Sequence, residues 1–185
     1  MDFIVSGKKA CFLDRDGVIN EEVNYLFEPE KVAIIPGVTE ALKMLKRHGY
    51  LTVVVTNQAG VARGYYEEKD IHAVHARIEE LLDEHEAGID AFYYCPHHPE
   101  FSDECECRKP NAGMLLKAAE QFDIDMSESF LVGDRISDIY AARNAGCAEA
   151  YLVRTGHGAN EIENKDVSDI EIADNLLHAV QTFIK

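Results

Sequence analysis

Short apolar runs that stop on polar residues, each followed by a stretch with helical spacing, set the frame for this chain. Residues 10–13, 51–55, 91–94, 129–132 and 150–153 are largely apolar, β-branched or aromatic; the first, second and fourth end on Asp14, on Thr56-Asn57-Gln58 and on Gly133-Asp134. Runs of this length between polar breaks read as buried strands. Strands that alternate with helices pack as a parallel sheet covered on both faces, so the expected fold is α/β, a Rossmann-like sheet with helices on both sides. Val38, Ala41, Leu42 and Leu45 form one apolar helical stripe that Gly49 ends. Further helices are predicted over 67–86, 113–122, 136–144 and 172–184, the last with Leu176, Leu177 and Val180 facing inward. Residues 20–36 read as an excursion that returns to the sheet, and 155–169 as polar loop. At 185 residues the chain fits one domain, 1–185, with room for a substantial core.

Open parallel sheets bind ligands beyond the carboxyl ends of their strands. Asp14, Asp16, Thr56, Asn57 and Asp134 are all predicted there. Asp14 and Asp16 are two apart, so in extended chain both carboxyls face one small volume, and Gly17 lets the backbone turn away. Two carboxylates held so close call for a cation between them or a proton on one of them. Taken alone, the Asp-Gly pair also fits an ordinary turn; the convergence of several strand ends is what points to a site.

With 18 Lys and Arg against 34 Asp and Glu, the formal net charge is −16, which speaks against nucleic acid and anionic membrane as partners. The same charge repels phosphorylated small molecules unless local cations overturn it. Arg63, Arg108, Lys109 and Arg135 flank the suspicious segments, where such cations would be needed. No apolar run is long enough to span a membrane, and the start of the chain lacks a basic stretch followed by a long apolar one. A cytoplasmic protein is expected, and a monomer from its size and the lack of an obvious apolar surface stripe.

Cys95, Cys105 and Cys107 cluster with His97 and His98 within thirteen residues. Three cysteines and one histidine make a tetrahedral zinc set, and four protein ligands leave no open position, so the zinc would be structural. The expected loop is 95–107, and it would clip Arg108-Lys109 in place. His72 and His75, three apart on a predicted helix, are a weaker metal candidate. Cys11 and Cys147 read as buried apolar residues.

Asp14-Arg15-Asp16-Gly17-Val18, Thr56, Lys109 and Gly133-Asp134 with Asp138 beyond, in that order, resemble the four signatures of the haloacid dehalogenase superfamily of aspartate-nucleophile phosphohydrolases. The resemblance implies a phosphatase with Asp14 as nucleophile and Asp16 as proton donor and acceptor. It implies Mg²⁺ bridging Asp14, the main-chain carbonyl of Asp16 and Asp134, with Thr56 and Lys109 stabilising the phosphoryl group. Asp138 would orient this set from behind or serve as an acidic residue at a helix start. Within the superfamily, the zinc loop and the lack of a separate cap domain resemble phosphatases of heptose bisphosphate and of histidinol phosphate, and they favour His97 over His98 as the fourth zinc ligand. The implied activity is removal of the 7-phosphate of a heptose 1,7-bisphosphate in nucleotide-activated heptose biosynthesis. Histidinol phosphate or another small phosphomonoester is the alternative substrate, and a non-catalytic zinc-stabilised binding scaffold the alternative from another class. By the same resemblance Arg15, Glu22, Val23, Asn24, Tyr25, Asn57, Gln58, Ala59, Arg63, Arg108 and Arg135 would bind the sugar phosphate.

Overall fold

The alternation of side chains along the strands decides the layering. In β1 (Lys9–Leu13), Cys11 and Leu13 join the core on one face, while Ala10 and Phe12 join the core on the other. A strand apolar on both faces belongs in the middle of a parallel sheet. The structure, a computed structural model, describes residues 7–184. Residues 1–6, from which the absence of a secretory leader is expected, lie outside that range, as does residue 185. Strands β2 (Tyr50–Asn57), β3 (Ala91–Cys95), β4 (Phe130–Gly133), β5 (Glu149–Val153) and β6 (Glu171–Ala173) complete a six-stranded sheet of order β3-β2-β1-β4-β5-β6, with every pairing parallel.

Helices α1 (Val38–Arg47), α2 (Glu68–Asp83) and α6 (Leu176–Phe183) cover one face through Leu42, Leu45, Val74, Ile78, Leu176 and Val180. Helices α3 (Gly113–Phe122) and α4 (Ile136–Ala145) cover the other through Met114, Leu115 and Ile139. Gly146, at φ 82°, closes α4 in the left-handed conformation that glycine adopts without a Cβ clash. Among the described residues no helix is long and apolar enough to cross a membrane.

The α/β sheet follows the sequence reading, but its C-terminal third differs. The stretch predicted as loop, 155–169, contains α5 (Gly158–Asn164), a seven-residue helix whose Glu161 accepts a hydrogen bond from the first amide of α4, Ile136 N, at 3.0 Å. The helix predicted over 172–184 begins only at Leu176, because Ile172 and Ala173 lie in edge strand β6. Ile172, Leu176, Leu177 and Val180 share helical spacing, which hides a three-residue strand. The decisive signal is Asn175, whose side chain accepts the His178 N–H at 3.0 Å and caps α6.

His72 and His75 do not form a metal pair. His75 is buried (5% exposed) and stacked on Phe92 at 4.4 Å, whereas His72 sets its edge against Tyr94. Burial, with Arg15 and His72 nearby, pushes the His75 pKa down to about 3. The folded state therefore holds this ring neutral while the unfolded chain protonates it near pH 6.5. The stabilisation is fully present above that pH and is lost as the pH falls towards 3, at about 1.4 kcal/mol per pH unit. His75→Phe keeps the stack and removes the titration. Urea unfolding between pH 7 and pH 5 should show a shallower loss of stability in the variant than in the wild type, and parallel curves would refute this account.

Candidate active site

In the order β3-β2-β1-β4-β5-β6 the chain progresses outward in opposite directions from β1 and β4, so the loops beyond those two strands part and leave a crevice. A cleft of about 360 Å³ lies there, lined by residues from the ends of β1, β2 and β4 and from the loops around them. Asp14 follows β1 directly, and its amide donates to Val132 O of β4 at 3.0 Å, which fixes it between the two strands. Asp134 follows β4, Thr56 ends the buried part of β2, and Asp138 lies in the first turn of α4.

Three carboxylates meet at this point. Asp14, Asp134 and Asp138 each offer an oxygen within 4.8 Å of the others, and all three residues are buried. Lys109 is the cation among them: Nζ lies 3.0 Å from Asp14 Oδ1 and 2.5 Å from Asp138 Oδ1, and donates to Val55 O at 2.7 Å. Burial works against the ammonium, but Asp138 and Asp14 outweigh it and raise the Lys109 pKa. One ammonium cannot balance three carboxylates. Burial, with Asp14 and Asp138 beside it, pushes the Asp134 pKa up. One oxygen of Asp134 accepts the His157 N–H at 2.7 Å; the other, Oδ1, is buried without a partner.

The backbone around Asp134 is pared back to make room. Gly17, at φ 81°, and Gly156, at φ 58°, lie against its carboxylate; a Cβ on either would stand 2.4 or 2.3 Å from Oδ2. An excess of buried negative charge, an orphaned carboxylate oxygen and a glycine cradle together fit a hard divalent cation with oxygen ligands.

Asp16 is held differently. Its carboxylate accepts from Arg15 Nε and Nη2, from Asn20 Nδ2 at 2.9 Å and from Gln58 Nε2 at 3.0 Å. Burial opposes the anion, but Arg15, Asn20 and Gln58 prevail and lower the Asp16 pKa. Glu22, on the cleft wall 3.5 Å from His157 Nε2, has its pKa pushed up to about 7 by burial and by Asp16.

Glu22, Val23, Asn24, Tyr25, Asn57, Gln58, Ala59, Arg63, Arg108 and Arg135 all line the cleft together with Asp14, Asp16, Thr56, Lys109, Asp134 and Asp138. Arg15 does not, which corrects the expectation that it touches substrate. Its side chain is fully buried and is spent on Asp16 and on Leu26 O. Asn57 and Gln58 reach the cleft but are engaged with the protein. Asn57 accepts from Lys109 N and donates to Lys109 O, both at 3.1 Å; Gln58 donates to Asp16 and to Thr56. His157, Ser137, His98 and Tyr66 also line the cleft and were missed. His157 had a usable signal, because Thr155-Gly156-His157 is a polar break after an apolar run, as Asp14 and Asp134 are.

The cysteine cluster forms as spaced. Cys95 Sγ lies 3.6 Å from Cys105 Sγ and 2.8 Å from Cys107 Sγ, and His97 Nδ1 lies 3.7 Å from Cys95 Sγ and 3.3 Å from Cys107 Sγ. With sulfurs about 2.3 Å and an imidazole nitrogen about 2.0 Å from one zinc ion, tetrahedral ligands would be about 3.5–3.8 Å apart, so three of the four separations lie close to that and the Cys95–Cys107 pair is tighter. His98 turns the other way and places Nε2 3.0 Å from Arg63 Nη2. Arg63 also lies over the ring of Phe101, and Arg108 Nη1 donates to His97 O at 3.1 Å. The loop therefore steadies Arg63 and Arg108 directly, while Asn57 ties down the backbone of Lys109.

A family model described as HAD-hydrolase-like matches residues 106–179. The D-glycero-beta-D-manno-heptose-1,7-bisphosphate 7-phosphatase of Haemophilus ducreyi is 44% identical over 155 residues, covering 81% of this chain and 85% of that protein. The D-glycero-alpha-D-manno-heptose-1,7-bisphosphate 7-phosphatase of Photorhabdus laumondii is 43% identical, covering 83% of this chain and 86% of its own. Among solved structures, D,D-heptose 1,7-bisphosphate phosphatase from B. bronchiseptica, complexed with magnesium and phosphate, superposes with a TM-score of 0.85 at 31% identity, covering 95% of this chain and 98% of the other.

Proposed function

The chain belongs to the haloacid dehalogenase-like hydrolases and is a phosphomonoester hydrolase, and from that premise we propose that it removes the 7-phosphate of a heptose 1,7-bisphosphate, through a phosphoryl group carried on Asp14, in the biosynthesis of nucleotide-activated heptose. The observation that carries this reading is the meeting of Asp14, Asp134, Asp138 and Lys109 at the base of one cleft. Its rim carries Arg63, Arg108 and Arg135, more cations than one phosphate requires. The names of relatives acting on both sugar anomers support the substrate class and leave either anomer open as the natural one.

An Asp14 oxygen attacks phosphorus, the P–O bond to the sugar breaks, and Asp16 gives its proton to the departing oxygen. Water then attacks the acyl phosphate while Asp16 takes the water's proton, and phosphate leaves with Asp14 restored. With its low pKa, the resting Asp16 is set for the second half; for the first it must take up a proton as substrate enters. Thr56 donates to a phosphoryl oxygen, and Lys109 balances charge as it develops. Asp14, Asp134 and the Asp16 carbonyl would hold Mg²⁺, which when bound supplies the positive charge that lets a carboxylate approach an anionic phosphate. Asp138 keeps Lys109 in place from behind.

Cys95, His97, Cys105 and Cys107 would hold structural zinc. Since Asn57 anchors the Lys109 backbone and the loop anchors the arginines, losing zinc should weaken substrate binding more than chemistry. Cys107→Ser, with zinc content measured and Mg²⁺ supplied, is expected to raise KM roughly tenfold while kcat changes only severalfold. A collapse of kcat at constant KM would contradict this.

Steady-state kinetics with both anomers of D-glycero-D-manno-heptose 1,7-bisphosphate and with histidinol phosphate test the substrate. One heptose anomer should exceed histidinol phosphate in kcat/KM by at least about a hundredfold. A higher value for histidinol phosphate would overturn the heptose reading, and no turnover of any ester with Mg²⁺ present would overturn the catalytic one.

A further inference from the structure

Beneath the reacting groups lies a hydrogen-bonded chain that ends on a tyrosine. Gln58 is buried (3% exposed), and its Nε2 donates both to Asp16 Oδ2 at 3.0 Å and to Thr56 Oγ1 at 2.9 Å. Its Oε1 accepts from the Tyr66 hydroxyl at 2.7 Å. Tyr66 is itself buried; its ring stacks on Phe27, and Gly60 leaves the space it fills, since a Cβ there would stand 2.1 Å from the ring. The Gln58 backbone is also fixed, its amide donating to Cys95 O at 2.7 Å.

An amide side chain has one donor end and one acceptor end, and only its partners decide which way it faces. With the Tyr66 hydroxyl donating to Oε1, the NH₂ end must face Asp16 and Thr56. Turned over, the amide would set its oxygen against the Asp16 carboxylate. The consequence for Thr56 is directional. Its oxygen is occupied as an acceptor by Gln58, so its own proton is free to point into the cleft, where a phosphoryl oxygen would accept it.

We propose that Tyr66 is a positioning residue that, through the orientation of the Gln58 amide, holds the Asp16 carboxylate in place and turns the Thr56 hydroxyl proton towards the phosphoryl group. This rests on the acid/base reading of Asp16 given above and extends it to a residue that donates no atom to the reaction. Gln58 thereby acts as a link rather than as a substrate contact.

Tyr66→Phe keeps the ring, the stack and the fit to Gly60 but removes the donor. It is expected to lower kcat about tenfold, the equivalent of one hydrogen bond, with KM within about twofold of wild type. Gln58→Met removes both ends of the link at similar volume and should lose at least as much. The decisive sample is the double variant: if Tyr66 acts through Gln58, adding Tyr66→Phe to Gln58→Met costs nothing further. Losses that multiply, or a Tyr66→Phe enzyme with wild-type kcat, would overturn the proposal. So would a Tyr66→Phe defect that appears only as a lowered melting temperature. The substrate is heptose 1,7-bisphosphate, with 4-nitrophenyl phosphate in its place should the sugar not be turned over, a failure that touches the substrate reading alone. Asp16→Ala serves as the reference: wild-type activity there would overturn the acid/base reading and this proposal with it, whereas a dead Asp16→Ala beside an unimpaired Tyr66→Phe overturns the proposal only.

Discussion

Asp14→Asn is expected to lower kcat by at least about 10⁴-fold while leaving the protein folded and no less stable. Asparagine has the shape of aspartate, and its carbonyl can still accept the Arg15 N–H that now binds Asp14 Oδ1 at 2.8 Å. What it lacks is the anionic oxygen that attacks phosphorus. The stability half of the expectation comes from the charge imbalance. Asp14 is one of three clustered buried carboxylates, of which it and Asp138 pair with Lys109, so neutralising it relieves repulsion on Asp134, and Lys109 keeps Asp138 as its partner. Phosphate release and thermal melting of the purified variant check both halves. Residual turnover comparable to wild type would remove Asp14 as nucleophile. An unfolded variant would mean that the Asp14 charge supports the fold, contrary to this account.

Lys109→Met should combine a large loss of activity with a large loss of stability. Lys109 is buried (4% exposed) between Asp14 and Asp138, and its carboxylate partners are shielded from water. Removing one member of such a buried group leaves uncompensated charge and costs about 3–5 kcal/mol. The loss of the ammonium should reduce kcat about 10³-fold, as for other groups that stabilise developing charge. Asp138→Asn in the same chain separates the two effects: it removes the stranded anion, so urea unfolding should recover much of the stability while turnover stays lost. Recovery of activity together with stability would mean that Lys109 serves only the fold.

The central sheet was legible because each of its inner strands is a short apolar run ended by a residue that cannot continue it, and three of those ends open on one cleft. That rule placed Asp14, Thr56 and Asp134 at one cleft, and cysteine spacing placed Cys95, His97, Cys105 and Cys107 in one cluster. Edge strand β6 was hidden because three residues carry too little period, and α5 because six of its seven residues are polar or small and Ile162 by itself makes no stripe. Roles inside the cleft were harder to read. Arg15 and Gln58 look like substrate ligands in a sequence, yet their side chains are turned inward onto Asp16, and only long-range packing decides that direction. Tyr66 had no signal at all: its partner lies eight residues away, and nothing local to it suggests a buried donor. His157 escaped because the rule applied to three strand ends was not applied to the fifth strand.

The most direct measurement is to mix enzyme and heptose 1,7-bisphosphate with Mg²⁺, quench in acid within the first turnovers, digest, and locate the added phosphoryl mass by tandem mass spectrometry. One modified peptide is expected, with phosphate on Asp14 and none in the Asp14→Asn variant. Phosphate on Asp16, on a histidine or on any other side chain would contradict it.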